Sequence, residues 1–140
     1  MTTALDYFSR DYLEARGKFR QATQNAQQKL THVVVPYPTI DDLTVDDLTV
    51  DIAVYEHKGD KKNLLVILSG VHGVEGYVGS AVQLMFADKY LSKVNSDTGV
   101  ALYHAFNPFG FHNNRRVNEK NIDCNRGSRP TIIFLTSKQK

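Results

Sequence analysis

The sequence has a single cysteine, Cys124, and no tryptophan among its 140 residues. One thiol closes no intrachain disulfide and builds no multi-cysteine metal cage, a usage that suits a reducing cytoplasm, where the chain is expected to reside. A surplus of charge of one sign is missing too: 17 Lys and Arg stand against 15 Asp and Glu, for a net charge of +2. The basic residues are dispersed, so there is no footprint for nucleic acid or another polyanion, and none is expected as a partner. Long hydrophobic runs are lacking as well. The longest, Leu64 to Leu68, is far below the roughly 20 residues that span a bilayer, and no basic patch precedes an apolar stretch at the N-terminus. Neither membrane insertion nor export is expected. What remains, 41% hydrophobic and 23% charged, fits one globular domain and leaves little room for a second.

Leu5, Phe8, Tyr12 and Phe19 recur at helical spacing with polar residues between them, which predicts amphipathic helix within residues 5 to 30. Gly17 weakens its middle by about 1 kcal/mol, so one bent helix and two shorter ones fit equally. After Pro36 and Pro38, the unit Asp41 to Val45 repeats as Asp46 to Val50. A single pair of five-residue units is too short for a solenoid and reads as a small insertion beside a strand start. A carboxylate-rich Ca²⁺ loop is the weaker alternative, because its glycine and its bidentate Glu are missing.

Thr49 to Tyr55 alternates and is rich in β-branched residues, whereas Asn63 to Leu68 is a continuous apolar run of the kind found in strands covered on both faces. Lys58-Gly59-Asp60-Lys61 between them has hairpin chemistry. Val78, Val82, Met85, Phe86 and Tyr90 repeat at helical spacing after Gly79, and Val100 to Ala105 predicts a further strand. The order strand, strand, glycine-rich turn, helix, strand predicts an α/β sheet with crossover connections.

Ligand sites of open α/β sheets gather where strands end and helices begin. Here that place is Ser69-Gly70-Val71-His72-Gly73-Val74-Glu75-Gly76, with a fourth glycine at 79. The glycines allow positive φ and close approach to a ligand. His72 and Glu75 offer an imidazole and a carboxylate that can reach one cation, two of the three protein ligands a catalytic zinc site commonly uses. The alternatives are a structural turn with a hydrogen-bonded histidine, or a phosphate loop lacking the usual glycine order and Lys-Ser/Thr ending. Downstream, Asn107-Pro108-Phe109-Gly110 through Ile122-Asp123-Cys124-Asn125-Arg126 reads as one long loop. Arg126 beside Asn125 can grip an anionic group, and Arg116 can polarise a carbonyl. Equally, these arginines can pair with Glu119 and Asp123. Asp123 can orient a histidine ligand through its other ring nitrogen or simply form an Asx turn.

Together the blocks at 69 to 76 and 107 to 126, with the opening Tyr7 to Phe19, resemble the zinc carboxypeptidase superfamily. The likeness is to its bacterial branch built on a domain of unknown function, related to aspartoacylase and succinylglutamate desuccinylase. The resemblance implies the N-terminal part of a doubly wound mixed sheet flanked by helices, incomplete, over residues 1–126. It further implies zinc held by His72 and Glu75, a small-molecule or peptide carboxylate received by Asn125 and Arg126, and a scissile amide carbonyl polarised by Arg116, with Arg115 the alternative. The chain departs from that pattern. Cys124 replaces a leucine, and Gly127-Ser128 replace Asn-Phe. None of the five histidines follows Asn125 to serve as third ligand, although His104 or His112 can be considered. The family's catalytic glutamate lies beyond the last residue. Residues 127–140 match nothing in the family, which reads as a frameshift, an early stop or an artificial end, with Ile132 to Leu135 either an edge strand or an adhesive tail. The expected function is therefore a zinc-dependent hydrolase with little or no activity in this chain. The alternative is a structural or carboxylate-binding remnant that needs a partner, with self-association through an exposed sheet edge.

Overall fold

The computed structural model of the chain describes residues 3–26, 30–37, 48–56 and 62–127. The N-terminal helical signal resolves into two pieces, a 3₁₀ turn at Ala4–Tyr7 and helix α1 at Tyr12–Gln24. The break falls before Tyr12 and not at Gly17, because Asp11 caps α1: its side chain accepts the Glu14 backbone N–H at 2.8 Å.

Among the described residues four strands form one mixed sheet: β1 (Leu30–Pro36), β2 (Thr49–Tyr55), β3 (Asn63–Leu68) and β4 (Thr98–His104). Their order is β1-β2-β4-β3. β2 runs antiparallel to β1 and β4, while β3 and β4 are parallel and joined through helix α2 (Gly73–Lys89). This is the expected α/β sheet with helices packed against it, reached by a different route. β1 is not among the expected strands, although Thr31 and Val33 to Val35 are a β-branched run; its Pro36 sits at the last position, on the outer strand of the described sheet, where a missing N–H costs nothing. Nor do β2 and β3 form the expected hairpin, since β4 inserts between them. The turn residues 58–61, most of the duplicated segment and the 128–140 tail with its candidate edge strand lie outside the described residues.

The core lies on one side of the sheet. Phe19 of α1 and Ala81 and Leu84 of α2 close over Ala53, Val100 and Leu102, each large side chain contributing about 1.5–3 kcal/mol by leaving water. The helix α2 buries its small and polar residues, Gly73, Gly76, Ser80, Ala81 and Gln83, and leaves Val78 and Val82 exposed. Close approach to the sheet end selects the small face of this helix over its more apolar one. β3 likewise departs from expectation: it is an edge strand, and Leu64, Leu65, Val66 and Leu68 are exposed. The apolar run predicts neighbours on both faces that the described residues do not supply. Among those residues no helix is long and apolar enough to cross a membrane.

Candidate functional site

β3 and β4 end side by side, and their ends are locked together. Ser69 and Gly70 carbonyls accept the Phe106 and Asn107 N–H groups, each at 2.8 Å. Both chains turn left-handed there, at Gly70 (φ 65°) and at the fully buried Ala105 (φ 58°). A Cβ on Gly70 would lie 2.9 Å from the Ala105 Cα, so position 70 requires glycine for its φ and for its space alike.

Of the turn's glycines, only Gly70 uses positive φ. Gly73 is glycine because another backbone passes against it: a Cβ there would stand 2.1 Å from the Gly110 carbonyl oxygen and 2.5 Å from the Arg115 nitrogen. That passing segment is more ordered than the expected loop. It contains the short helices α3 (Pro108–His112) and α4 (Cys124–Gly127). Asn107-Pro108 acts as a helix start, the Asn107 side chain accepting the Gly110 N–H at 3.0 Å and proline occupying the first turn. The Gly73 N–H donates to the Arg115 carbonyl at 2.8 Å, joining α2 to the segment that carries Asp123.

Helix α2 begins at Gly73, ahead of its sequence signal, so His72 is its N-cap residue and Glu75 sits in its first turn. His72 Nε2 lies 2.9 Å from Asp123 Oδ1, and its Nδ1 lies 3.9 Å from Glu75 Oε1. The other Asp123 oxygen accepts from Arg116 Nε at 2.9 Å, and the Asn125 N–H donates to Oδ1 at 2.9 Å. Hydrogen bonds from His72, then Arg116, hold the Asp123 carboxyl well below the usual carboxylate range. The imidazole is thus fixed from one side, with its second nitrogen turned toward an exposed carboxylate.

The remaining expected residues spread around this centre. Arg115 donates to Asn121 at 2.6 Å and lies over the Phe109 ring. Asn125 and Arg126 are exposed on the same short stretch as Asp123. Cys124 is half-buried, and burial pushes its thiol pKa up, which opposes the thiolate a metal ligand needs. His104 faces the core: fully buried, it stacks on Phe19 with ring centroids 4.8 Å apart and meets Ser80 Oγ at 3.1 Å. His112 lies edge-on to Tyr12. Neither joins His72 and Glu75, and the described residues contain no group of three or more His, Cys, Asp or Glu able to hold a metal ion.

One supporting residue escaped the sequence reading. The buried Gln83 accepts from Ser69 Oγ at 2.8 Å, and its amide donates to the Ile67 and Tyr103 carbonyls at 2.9 and 3.0 Å. It ties α2 to the ends of both parallel strands. A polar residue between Val82 and Leu84 was the available signal.

Fold and site together define an α/β protein whose polar centre stands where two parallel strands give way to a helix. The chain belongs to the family described as "Protein of unknown function (DUF2817)", whose model matches residues 8–130. No curated protein matches the chain, and no solved structure does.

Proposed function

We propose that this centre is a divalent-metal site of the zinc carboxypeptidase type, with His72 and Glu75 as ligands and Asp123 as the group that orients His72. The reading makes the chain part of a hydrolase acting on amide bonds next to a carboxylate, in a reducing cytoplasm. The observation that carries it is the two-sided engagement of one imidazole: Asp123 on Nε2, Glu75 facing Nδ1. Metal-bound histidines characteristically give their other ring nitrogen to a carboxylate.

The donors fit the metal in part. Ligand bonds of about 2.0–2.2 Å place two atoms around one tetrahedral ion roughly 3.4 Å apart, and rotation of the exposed Glu75 covers the difference from 3.9 Å. When bound, zinc supplies Lewis acidity toward an amide carbonyl and acidifies water. The chain's own residues would do the positioning. Asp123 fixes the imidazole, Arg116, held to Asp123 through Nε, would turn its remaining N–H groups to developing negative charge, and Asn125 with Arg126 would receive the substrate carboxylate. With two ligands among the described residues, zinc binding is weak and hydrolysis slow. A carboxylate-binding remnant is the second reading, favoured by the lack of a third ligand among the described residues.

Equilibrium dialysis against Zn²⁺ tests the proposal. One ion per chain is expected, lost on His72→Ala and weakened about 10–100-fold on Asp123→Asn. Zinc uptake unchanged in both variants would refute it. Arg126→Ala should weaken binding of an N-acyl amino acid while leaving the melting temperature nearly unchanged.

A further inference from the structure

The side of the sheet opposite α1 and α2 carries an apolar surface that is exposed along its two outer strands. Pairing registers define two rows across all four strands, Val33–Ile52–Tyr103–Leu68 and Thr31–Val54–Ala101–Val66. Alternation puts both rows on the face away from Ala53 and Leu102, which the helices cover. Neither row contains a charged residue. On the two outer strands Val33, Val66 and Leu68 are 46%, 43% and 45% exposed and Leu64 beside them 66%, while in the middle of the face Ile52, Val54 and Tyr103 are half-buried and Ala101 is buried among them.

We infer that this face packs against the same face of a second copy of the chain, forming a two-fold sheet-on-sheet dimer. Area supports that occupant. Four strands about 4.8 Å apart and six residues long at about 3.3 Å each give a footprint of roughly 400 Å² per copy. Two such surfaces, roughened by side chains, bury on the order of 1,000 Å², the threshold of a specific interface. A patch of this size lies within the roughly 300–600 Å² of the largest apolar patch on a typical monomer, a patch that is often functional. The surface is also self-complementary in charge, since it has none to oppose, and a flat twisted sheet accepts another at about 30° with a core about 10 Å thick. Pairing of two β3 edges, the simpler route to self-association, leaves this apolar face in water and so accounts for less. The inference stands apart from the metal reading.

Sedimentation equilibrium of the full chain at about 10–100 µM, a range that resolves micromolar dissociation constants, tests it. The expected mass is twice the chain's 15.8 kDa. Val66→Lys and, at the opposite edge, Val33→Lys should give monomers with unchanged circular dichroism. Val66→Thr, which keeps the strand-favouring branch, should raise the dissociation constant about tenfold or more, so the test survives if a lysine variant fails to fold. A monomeric wild type overturns the inference, as does a dimer indifferent to both edges. If the wild type is monomeric and Ile133→Asp makes it self-associate, the tail of the same chain covers the face, and a second copy does not.

Discussion

Replacing Gly73 by alanine isolates the contact on which the candidate site is built. In an ordinary helix this change stabilises by about 0.5–1 kcal/mol, because alanine loses less backbone entropy on folding. At Gly73 the new methyl would lie 2.1 Å from the Gly110 oxygen and 2.5 and 2.7 Å from the Arg115 nitrogen and oxygen. All three are backbone atoms, which cannot rotate aside. Relief requires the 110–115 segment to retreat by about 1 Å, since carbon and oxygen settle no closer than roughly 3.2 Å. That movement breaks the Gly73-to-Arg115 hydrogen bond of 2.8 Å, worth about 1 kcal/mol before strain, while the Arg115-to-Gly110 bond travels with the segment. With overpacking strain of about 1–3 kcal/mol added, the expected cost is about 2–4 kcal/mol, a drop in melting temperature on the order of 10 °C. Gly17, in the middle of α1, is the internal control: nothing lies within 4 Å of its Cβ position, and Gly17→Ala should gain about 0.5–1 kcal/mol. Urea unfolding with linear extrapolation measures both. A Gly73→Ala variant within about 1 kcal/mol of wild type, or equal effects at the two sites, would refute the argument from backbone crowding.

Burial holds the His104 pKa down at about 4, with Arg20 and Arg16 lowering it further and Asp51 opposing them. Because the folded value lies below the unfolded one of about 6.5, the stabilisation is complete above pH 6.5 and drains as pH falls toward 4, by up to about 1.4 kcal/mol per pH unit. Thermal melts between pH 7.5 and 5 should show this slope, and His104→Gln should flatten it; an unchanged slope would locate the loss elsewhere. Arg20 grips the buried Asp51 through two bonds of 2.9 Å, so Arg20→Ala should cost about 3 kcal/mol by stranding that carboxylate, and a loss under 1 kcal/mol in chemical denaturation would contradict it. Tyr7 donates its phenol hydrogen to Asp88 at 2.5 Å, a bond that pushes its pKa up to about 12. Tyr7→Phe should cost about 1 kcal/mol and remove a tyrosine that resists ionisation in an ultraviolet pH titration. If all the wild-type tyrosines ionise together near pH 10, that bond is not formed in solution.

Local signals reached as far as their own range. The period of Tyr12 to Phe19, the β-branched alternation of Thr49 to Tyr55 and the apolar run of Asn63 to Leu68 each located an element, because propensity and burial act over a few residues. The glycine-rich turn and the Asp123 block were legible as chemistry, and an imidazole with a carboxylate partner was among the readings of that block. Partnership was not legible. That β4 separates β2 from β3, that α2 buries glycines and a glutamine rather than its valines, and that His104 turns to the core follow from how the layers meet. No run of neighbouring residues encodes those meetings. Residue order and composition were enough for a mixed α/β chain with two candidate ligands at a strand end. Tertiary structure alone decided that Gly73 must yield to a passing backbone and that Asp123, fifty-one positions later, closes on His72, because contacts between distant segments are chosen by the packing of the whole core.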